Sequence, residues 1–278
     1  MVSVAMTTYN GEKYVEKQIK SILNQSHSID ELIICDDCSS DETVKIIEQL
    51  SNSDERIVLH VNNNNIGYIS NFIQAISMTS GSYIFLADQD DLWEKNKVER
   101  MLEVLGELKA EVLCTNFQII DSEDNENEHS YIVPDYIKNT TQNVKTVDFD
   151  TLIYGNVSQG CTYCFSERIK NILLDINNHD VIHDYQIMLI GAAFNKAYYL
   201  NEKLIKYRIH GENSIGFSEK RTLKHIKFGL PLKKPKVVKF LEKLKAYDPP
   251  RCFLKSYVLL YLRVPVWRAV FKRFFRLL

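Results

Sequence analysis

The sequence predicts an α/β fold: a mostly parallel central sheet with helices on both faces, followed by a basic, helical C-terminal tail. Three observations predict it. Over the first 116 residues, apolar β-rich runs alternate with stretches whose apolar residues recur at helical spacing, and repeated βα units of this length build parallel sheets. Each of the first four predicted strands ends in a polar cluster, where open α/β sheets bind their ligands. The charge is also split, with 17 Lys/Arg against three acids over 218–278, so the net -2 conceals about -16 over 1–217.

The elements follow in order. Residues 2–6 are a short apolar strand, and 14–24 place Val15, Ile19, Ile22 and Leu23 at helical spacing. Leu32, Ile33, Ile34 and Cys35 form a second strand that ends in Asp36 and Asp37. Ser40 is the predicted cap of a helix over 43–50, whose Val44, Ile46, Ile47 and Leu50 give it an apolar side. Residues 57–61 are a third strand, 70–79 a third helix and 83–87 a fourth strand. A long helix over 94–108 carries Val98, Met101, Leu102 and Leu105, and 112–116 starts another strand. Residues 121–150 turn polar and read as a loop or insertion. A second ordered stretch, 148–217, holds a helix at 184–194 and a strand at 203–209, and no internal repeat is evident.

The most informative segment is Leu86-Ala87-Asp88-Gln89-Asp90-Asp91-Leu92-Trp93. Along an extended chain, side chains two apart share a face, so Asp88 and Asp90 point together. Two carboxylates at the mouth of a buried strand repel unless something cationic lies between them. A hard divalent ion that itself clamps a diphosphate answers that requirement. The four strand-end clusters (7–11, 36–41, 62–67 and 88–91) then describe one site.

Several function classes are disfavoured. No G-x-G-x-x-G follows the first strand, which argues against a dinucleotide dehydrogenase. No apolar run approaches the roughly 18 residues of a membrane span; the longest candidate, 257–262, is broken by Arg263 and Pro265. The first ten residues lack the basic start and cleavage region of a signal peptide, so a cytoplasmic setting is expected. The two C-x-x-C pairs, Cys35/Cys38 and Cys161/Cys164, are too far apart for a zinc ribbon and read as reduced, mostly buried thiols. The basic tail carries no nucleic-acid-binding motif. Its mixture of Trp267, Phe, Leu and Arg over 253–278 suits an anionic membrane surface, with a helix packed on the domain or on another subunit as the plainer alternative.

Taken together, Val4-Ala5-Met6-Thr7-Thr8-Tyr9-Asn10, Asp36-Asp37-x-Ser39-x-Asp41-x-Thr43, Asn65-x-Gly67-x-x-x-Asn71-Phe72 and Leu86-Ala87-Asp88-Gln89-Asp90-Asp91-x-Trp93 resemble glycosyltransferase family 2, which has the GT-A fold. With His183-Asp184 and Tyr207-Arg208-x-His210-Gly211-x-Asn213, the set is similar to bacterial rhamnosyltransferase-like members that build surface polysaccharides. The resemblance covers about residues 1–215. It implies a GT-A domain over 1–217, with a nucleotide-binding half (1–116) and an acceptor half (117–217), before the 218–278 segment.

The resemblance also implies an inverting, metal-dependent transfer from a nucleotide-diphospho-sugar, dTDP-rhamnose or a UDP-hexose, to a saccharide acceptor, lipid-linked at the inner face of the cell membrane. Thr7, Tyr9, Asn10, Asp37, Asn65, Gly67, Asn71 and Asp88 would bind the nucleotide, with Asp37 accepting from a uracil or thymine N–H. Asp90 and Asp88, with His210, would hold Mn²⁺ or Mg²⁺, and Asp184 would be the catalytic base. Cys38 departs from the glycine the family often has there.

Plainer readings stand beside these. Asp36 also reads as a strand-end acid or helix cap, Asp91 as the cap of the helix led by Glu94, and Asp184 as a helix N-terminal acid. His183 also reads as a packed structural residue, His210 as a loop residue, Arg208 as the partner of either a phosphate or a core acid, and Trp93 as core packing. The competing functions are a non-catalytic sugar-nucleotide-binding or assembly subunit, and a nucleotidyltransferase, which the missing Gly-rich phosphate loop disfavours.

Overall fold

The computed structural model describes residues 1–126, 143–152, 155–210 and 235–250. Within them the chain builds β1 (Val2–Thr8), α1 (Val15–Leu23), β2 (Glu31–Asp36), α2 (Thr43–Ser51), β3 (Ile57–Val61), α3 (Tyr68–Met78), β4 (Tyr83–Ala87), β5 (Leu92–Trp93), α4 (Lys97–Leu108) and β6 (Val112–Ile120). There follow β7 (Val144–Thr146), α5 (Phe149–Leu152), a 3-10 turn (Gly160–Thr162), β8 (Tyr163–Ser166), α6 (Glu167–Ile176), α7 (His183–Ala193) and β9 (Ala197–Arg208). Last come α8 (Pro235–Leu244) and a 3-10 turn (Lys245–Tyr247).

One sheet runs through both predicted halves in the order β3-β2-β1-β4-β8-β6-β9-β5, with β7 also pairing to β9. The pairings β1–β2, β1–β4, β2–β3 and β6–β9 are parallel; β8, β5 and β7 pair antiparallel. Period-2 alternation sorts the strand residues onto two cores. Val4, Met6, Leu32 and Ile34 face α1 and α4, whose Val15, Ile19, Ile22, Val98 and Met101 cover them. Ala5, Ile33, Cys35, Ile84 and Leu86 face α3, α6 and α7. The central strands are buried on both sides, which is why they read as continuous apolar runs.

The chain leaves β1 toward β2 and β3, then returns to β4 on the other side of β1. The strand order therefore reverses between β1 and β4, and their C-terminal ends, Thr8 and Ala87, open a crevice there.

Several expectations shift locally. Ser40 does not cap α2: Asp41 Oδ1 accepts from the Thr43 N–H at 3.0 Å, while Ser40 donates its N–H to Asn10 Oδ1 at 2.9 Å. The third helix starts at Tyr68 rather than residue 70, because Gly67 turns the chain into it with φ 82°, a left-handed value open to glycine. Helix α4 starts at Lys97, so Asp91 caps nothing and instead accepts from the Arg208 N–H at 3.0 Å. The strand expected over 203–209 is the end of the twelve-residue β9. Trp93 packs in the core, its ring 5.7 Å from that of Phe85.

Four of the five described cysteines are buried, and all five are free thiols. Val237, Phe240, Leu241 and Leu244 of α8 join the core beside α6, so the start of the basic segment packs on the domain. Residues 127–142, 211–234 (which include Gly211 and Asn213) and 251–278, where the interfacial reading of the tail was placed, lie outside the described residues. Among the described residues, no helix is long and apolar enough to cross a membrane.

Candidate active site

A cavity of about 340 Å³ opens at the switch point between β1 and β4. Its lining includes Thr7, Tyr9, Asp37, Asn65 and Gly67 from the loops after the first three strands, Asn71 from α3, Asp88 and Asp90 from the fourth strand end, and His183 and Asp184 from α7. Residues up to 200 positions apart in the chain, Thr7 and Tyr207, thus face one volume. Asn10 and His210 are not on the lining; His210 meets it through Asp90, and Asn10 bonds the turn after β2.

At one edge, Asp37 is nearly buried and organises the loop before α3. Its Oδ1 accepts from the Ile66 N–H at 2.8 Å and the Asn62 amide at 3.1 Å, and its Oδ2 accepts from the Gly67 N–H at 2.9 Å. A carboxylate has about four acceptor positions, so one on Oδ2 remains for a ligand. Asn71 donates to the Cys35 carbonyl at 2.8 Å and accepts from Asn62 at 3.0 Å; Asn65 Oδ1 accepts from the Gly67 N–H at 3.1 Å. Asp36 is fully buried and closes the turn after β2, accepting from Thr8 Oγ1 at 2.7 Å and Ser39 N at 2.7 Å. Asn10 receives the Ser40 N–H and so pins that turn against the loop after β1.

The acidic edge follows β4. Burial, then the charges of Asp90 and Asp184, push the Asp88 carboxyl up to about 7. Asp90 Oδ2 lies 2.8 Å from His210 Nε2, and its carbonyl accepts from Arg208 Nε at 2.6 Å. Arg208 is fully buried; its guanidinium lies over the Tyr14 ring and pairs with Asp124 at 2.5 Å. Arg208 thus pairs with an acid of the protein and fixes the backbone beneath Asp90.

The residues present fit a divalent ion in one part. Asp88, Asp91 and Cys161 offer ligand atoms within 4.8 Å of one another. A thiol suits Mg²⁺ or Mn²⁺ poorly, and Asp91 is held inward by the Arg208 N–H. Asp88 and Asp90, which line the cavity, supply the oxygen donors a hard ion takes.

Beneath the acids sits Lys97, fully buried, its Nζ 2.7 Å from the Cys161 carbonyl and 4.0 Å from the Trp93 ring centroid. Burial lowers its amine to about 8, and the neighbouring thiols and acids oppose that. The buried cation offsets the acids' mutual repulsion and ties the 160–162 turn to α4. Lys97→Met is expected to cost roughly 3 kcal/mol of stability, since it strands a carbonyl and buried acids. Urea unfolding checks this; a loss under about 0.5 kcal/mol is inconsistent with a buried counter-charge.

Across the cavity, Asp184 lies in the first turn of α7, nearly buried, with Oδ1 2.6 Å from the Tyr185 N–H. Burial raises its carboxyl to about 7, against the pull of the Tyr185 N–H and the Asn156 side chain. His183 stacks on Phe72 with ring centroids 4.0 Å apart, and burial lowers its imidazole to about 3.

Sequence reasoning missed Gln89, Tyr68, Gln159, Gly160, Ile182 and Tyr207, which all line the cavity. Gln89 clasps the backbone of Tyr9, accepting its N–H at 2.7 Å and donating to its carbonyl at 3.0 Å. Its place between Asp88 and Asp90 was a signal, since an alternating segment turns it away from them. Gln159 and Gly160 carried no signal: they reach the cavity through tertiary folding of a short 3-10 turn.

The sequence pattern of glycosyl transferase family 2 matches residues 3–173. A Bacillus subtilis (strain 168) protein named for teichuronic acid biosynthesis, the glycosyltransferase TuaG, is 27% identical over 92% of this chain and 94% of its own. The dTDP-rhamnosyl transferase RfbG of Shigella flexneri is 28% identical over 81% of this chain and 78% of its own. The crystal structure of S. aureus TarS 1-349 with UDP-GlcNAc superposes with a TM-score of 0.61 at 18% identity, over 78% of this chain. The match spans 62% of the TarS chain. At that identity the likeness speaks for the fold alone, and that fold is GT-A.

Proposed function

This chain belongs to glycosyl transferase family 2 and is a glycosyltransferase, and from that premise we propose that it moves a hexosyl or rhamnosyl group from a nucleotide diphosphate to a saccharide with inversion. One observation carries the reading: Asp37, Asp88, Asp90 and Asp184 line the same cavity. Tyr9 and Asp37 flank the base, and the free acceptor position of Asp37 takes the N–H of uracil or thymine. Asp88 and Asp90, with His210 beside Asp90, would hold Mn²⁺ or Mg²⁺. Once bound, such an ion neutralises charge growing on the departing diphosphate.

The protein's own groups do the rest. Asp184 takes the proton from the acceptor hydroxyl as it attacks the anomeric carbon. A single base and no protein nucleophile give inversion, and the diphosphate leaves without needing a second carboxylic acid. RfbG by name uses a dTDP-rhamnosyl donor and TarS was solved with UDP-GlcNAc, which supports a pyrimidine nucleotide sugar here. TuaG is named for teichuronic acid biosynthesis, which supports a role in bacterial surface polysaccharide synthesis. The 1–217 division and the basic segment fit a catalytic domain held at the inner face of the membrane, where a lipid-linked acceptor is presented.

The test is calorimetry with UDP and dTDP, with and without Mn²⁺, followed by transfer from their sugars. Binding strengthened by the ion supports the reading; no binding of either nucleotide in its presence ends it.

The pH dependence follows from Asp184. Its carboxyl titrates at about 7 instead of the ordinary 3.8, and only the ionised form accepts a proton. Turnover is therefore expected to rise about tenfold per pH unit below 7 and level off above. The unfolded chain loses that proton first, so the same group lowers stability as pH rises from 3.8 to about 7. A rate already flat between pH 5.5 and 7 contradicts the assignment.

A further inference from the structure

Residues 156–162 run past Asp184 on their way into β8, and hydrogen bonds fix their course. Ser158 Oγ donates to the Thr115 carbonyl at 2.8 Å, Thr162 Oγ1 donates to Ser158 Oγ at 3.0 Å, and Lys97 Nζ holds the Cys161 carbonyl at 2.7 Å. Gly160 brings this segment against the acid: a Cβ there would lie 3.5 Å from Asp184 Oδ2. At the head of the segment stands Asn156, half-buried and outside the cavity lining, whose side chain hydrogen-bonds the Asp184 carboxylate.

The Asn156 amide can face Asp184 in one orientation. Its Oδ1 accepts from the Tyr163 hydroxyl and from the Val157 N–H, the latter at 3.1 Å. An amide oxygen has two lone pairs, so both are taken, and a carboxylate only accepts. The amide nitrogen is therefore what meets Asp184, and it donates. Tyr163 is fully buried in β8, between β4 and β6, so the lock on the amide is anchored in the sheet. From its own helix, Asp184 Oδ1 accepts the Tyr185 N–H at 2.6 Å. Donors from two parts of the fold thus hold the carboxylate, and both favour its charged form.

We propose that Asn156 is the positioning residue of the base: locked by the Tyr163 hydroxyl, its amide donates to Asp184 and holds the ionised carboxylate toward the acceptor hydroxyl. This rests on Asp184 being the base and adds the groups that keep it usable despite burial. A hydrogen bond to a charged group is stronger than one between neutral groups, so the contact weakens once Asp184 takes the proton. Asn156 acts on the chemistry without touching the substrate.

Other titratable groups face Asp184: Asp88 at the end of β4, Tyr68 at the start of α3, Cys114 in β6 and His183 beside it on α7. Burial pushes the Tyr68 phenol and the Cys114 thiol up and the His183 imidazole down, so all three are neutral near pH 7. Asp88 is the same in every variant below, so differences between variants report Asn156.

The test is a ¹³C NMR titration of the aspartate carboxyls, with the Asp184 resonance assigned by its loss in Asp184→Asn. The wild type is compared with Asn156→Leu, Tyr163→Phe and the double variant, which removes both partners and strands no hydroxyl. Asn156→Leu is expected to move the Asp184 midpoint up by about one pH unit, a roughly tenfold smaller ionised fraction below it. Tyr163→Phe is expected to move it less in the same direction. The double variant is expected to go no further than Asn156→Leu, because Tyr163 acts through Asn156. Turnover of Asn156→Leu is expected to be about fivefold low at pH 7 and nearly restored at pH 9, with UDP affinity in Mn²⁺ within about twofold.

A midpoint unmoved or lowered in Asn156→Leu overturns the proposal, as does a double variant in which the two effects add. Where Asn156→Leu does not fold, an unmoved midpoint in Tyr163→Phe overturns it. A loss of turnover that persists at pH 9, or that comes with a parallel fall in UDP affinity, marks a purely structural role and overturns it too. Near-normal turnover in Asp184→Asn is instead the failure of the base assignment, and takes the proposal with it even where the midpoint moves.

Discussion

Asp184→Asn is expected to lower kcat by about 10²- to 10⁴-fold, the usual contribution of a positioned general base, and to leave UDP binding in Mn²⁺ within about twofold. The substitution is nearly isosteric. An amide oxygen still accepts the Tyr185 N–H that Asp184 Oδ1 accepts at 2.6 Å, so the first turn of α7 keeps its geometry. The amide has no lone pair basic enough to take a proton from a hydroxyl. Asp184 Oδ1 is held by the Tyr185 N–H and not by the Asp37 or Gly67 loops, so the nucleotide contacts are expected to persist. The variant's residual rate is also expected to lose its rise through pH 7. Single-turnover measurement of nucleotide release with saturating donor checks both points, and near-normal turnover removes Asp184 from the chemistry.

Asp90→Ala is expected to weaken UDP binding in Mn²⁺ by at least about 100-fold, about 2.7 kcal/mol, and to make what remains insensitive to chelator. Asp90 lines the cavity and is held at Oδ2 by His210. Its removal leaves Asp88 as the one cavity-facing acid of the 88–91 cluster, too few oxygens to gather a hard ion. The fold is expected to tolerate the change, because Arg208 Nε holds the Asp90 backbone carbonyl and not its side chain. Calorimetry with and without EDTA decides it; an unchanged, chelator-insensitive affinity counts against a metal at this place.

Much of this was legible in the residues because βα units write their periodicity locally. Ala5, Ile33 and Leu86 on one face, against Met6, Ile34 and Ala87 on the other, needed only alternation to be found. The second half was harder. Strands β5 and β7 are two and three residues long, stabilised by pairing to β9, and neither has room for a pattern. Helix α7 is buried along its whole length and has no polar face, yet the helix expected over 184–194 is found one residue earlier, at His183–Ala193.

The acids of the site stood out as a cluster at strand ends, whereas their supports did not. That Asp36 closes a turn while Asp37 faces the cavity depends on which way each carboxylate points. The departures share a cause. Ser40 and Asp91 were read against their sequence neighbours, and their partners lie 30 and 117 positions away.

The two hydrogen bonds between the Gln89 amide and the Tyr9 backbone weld the segment that follows the first strand to the segment that follows the fourth. On the proposed reading, nucleobase contact and cation capture would share this one clasp, so a substitution that shifts Tyr9 is expected to shift the ion ligands with it.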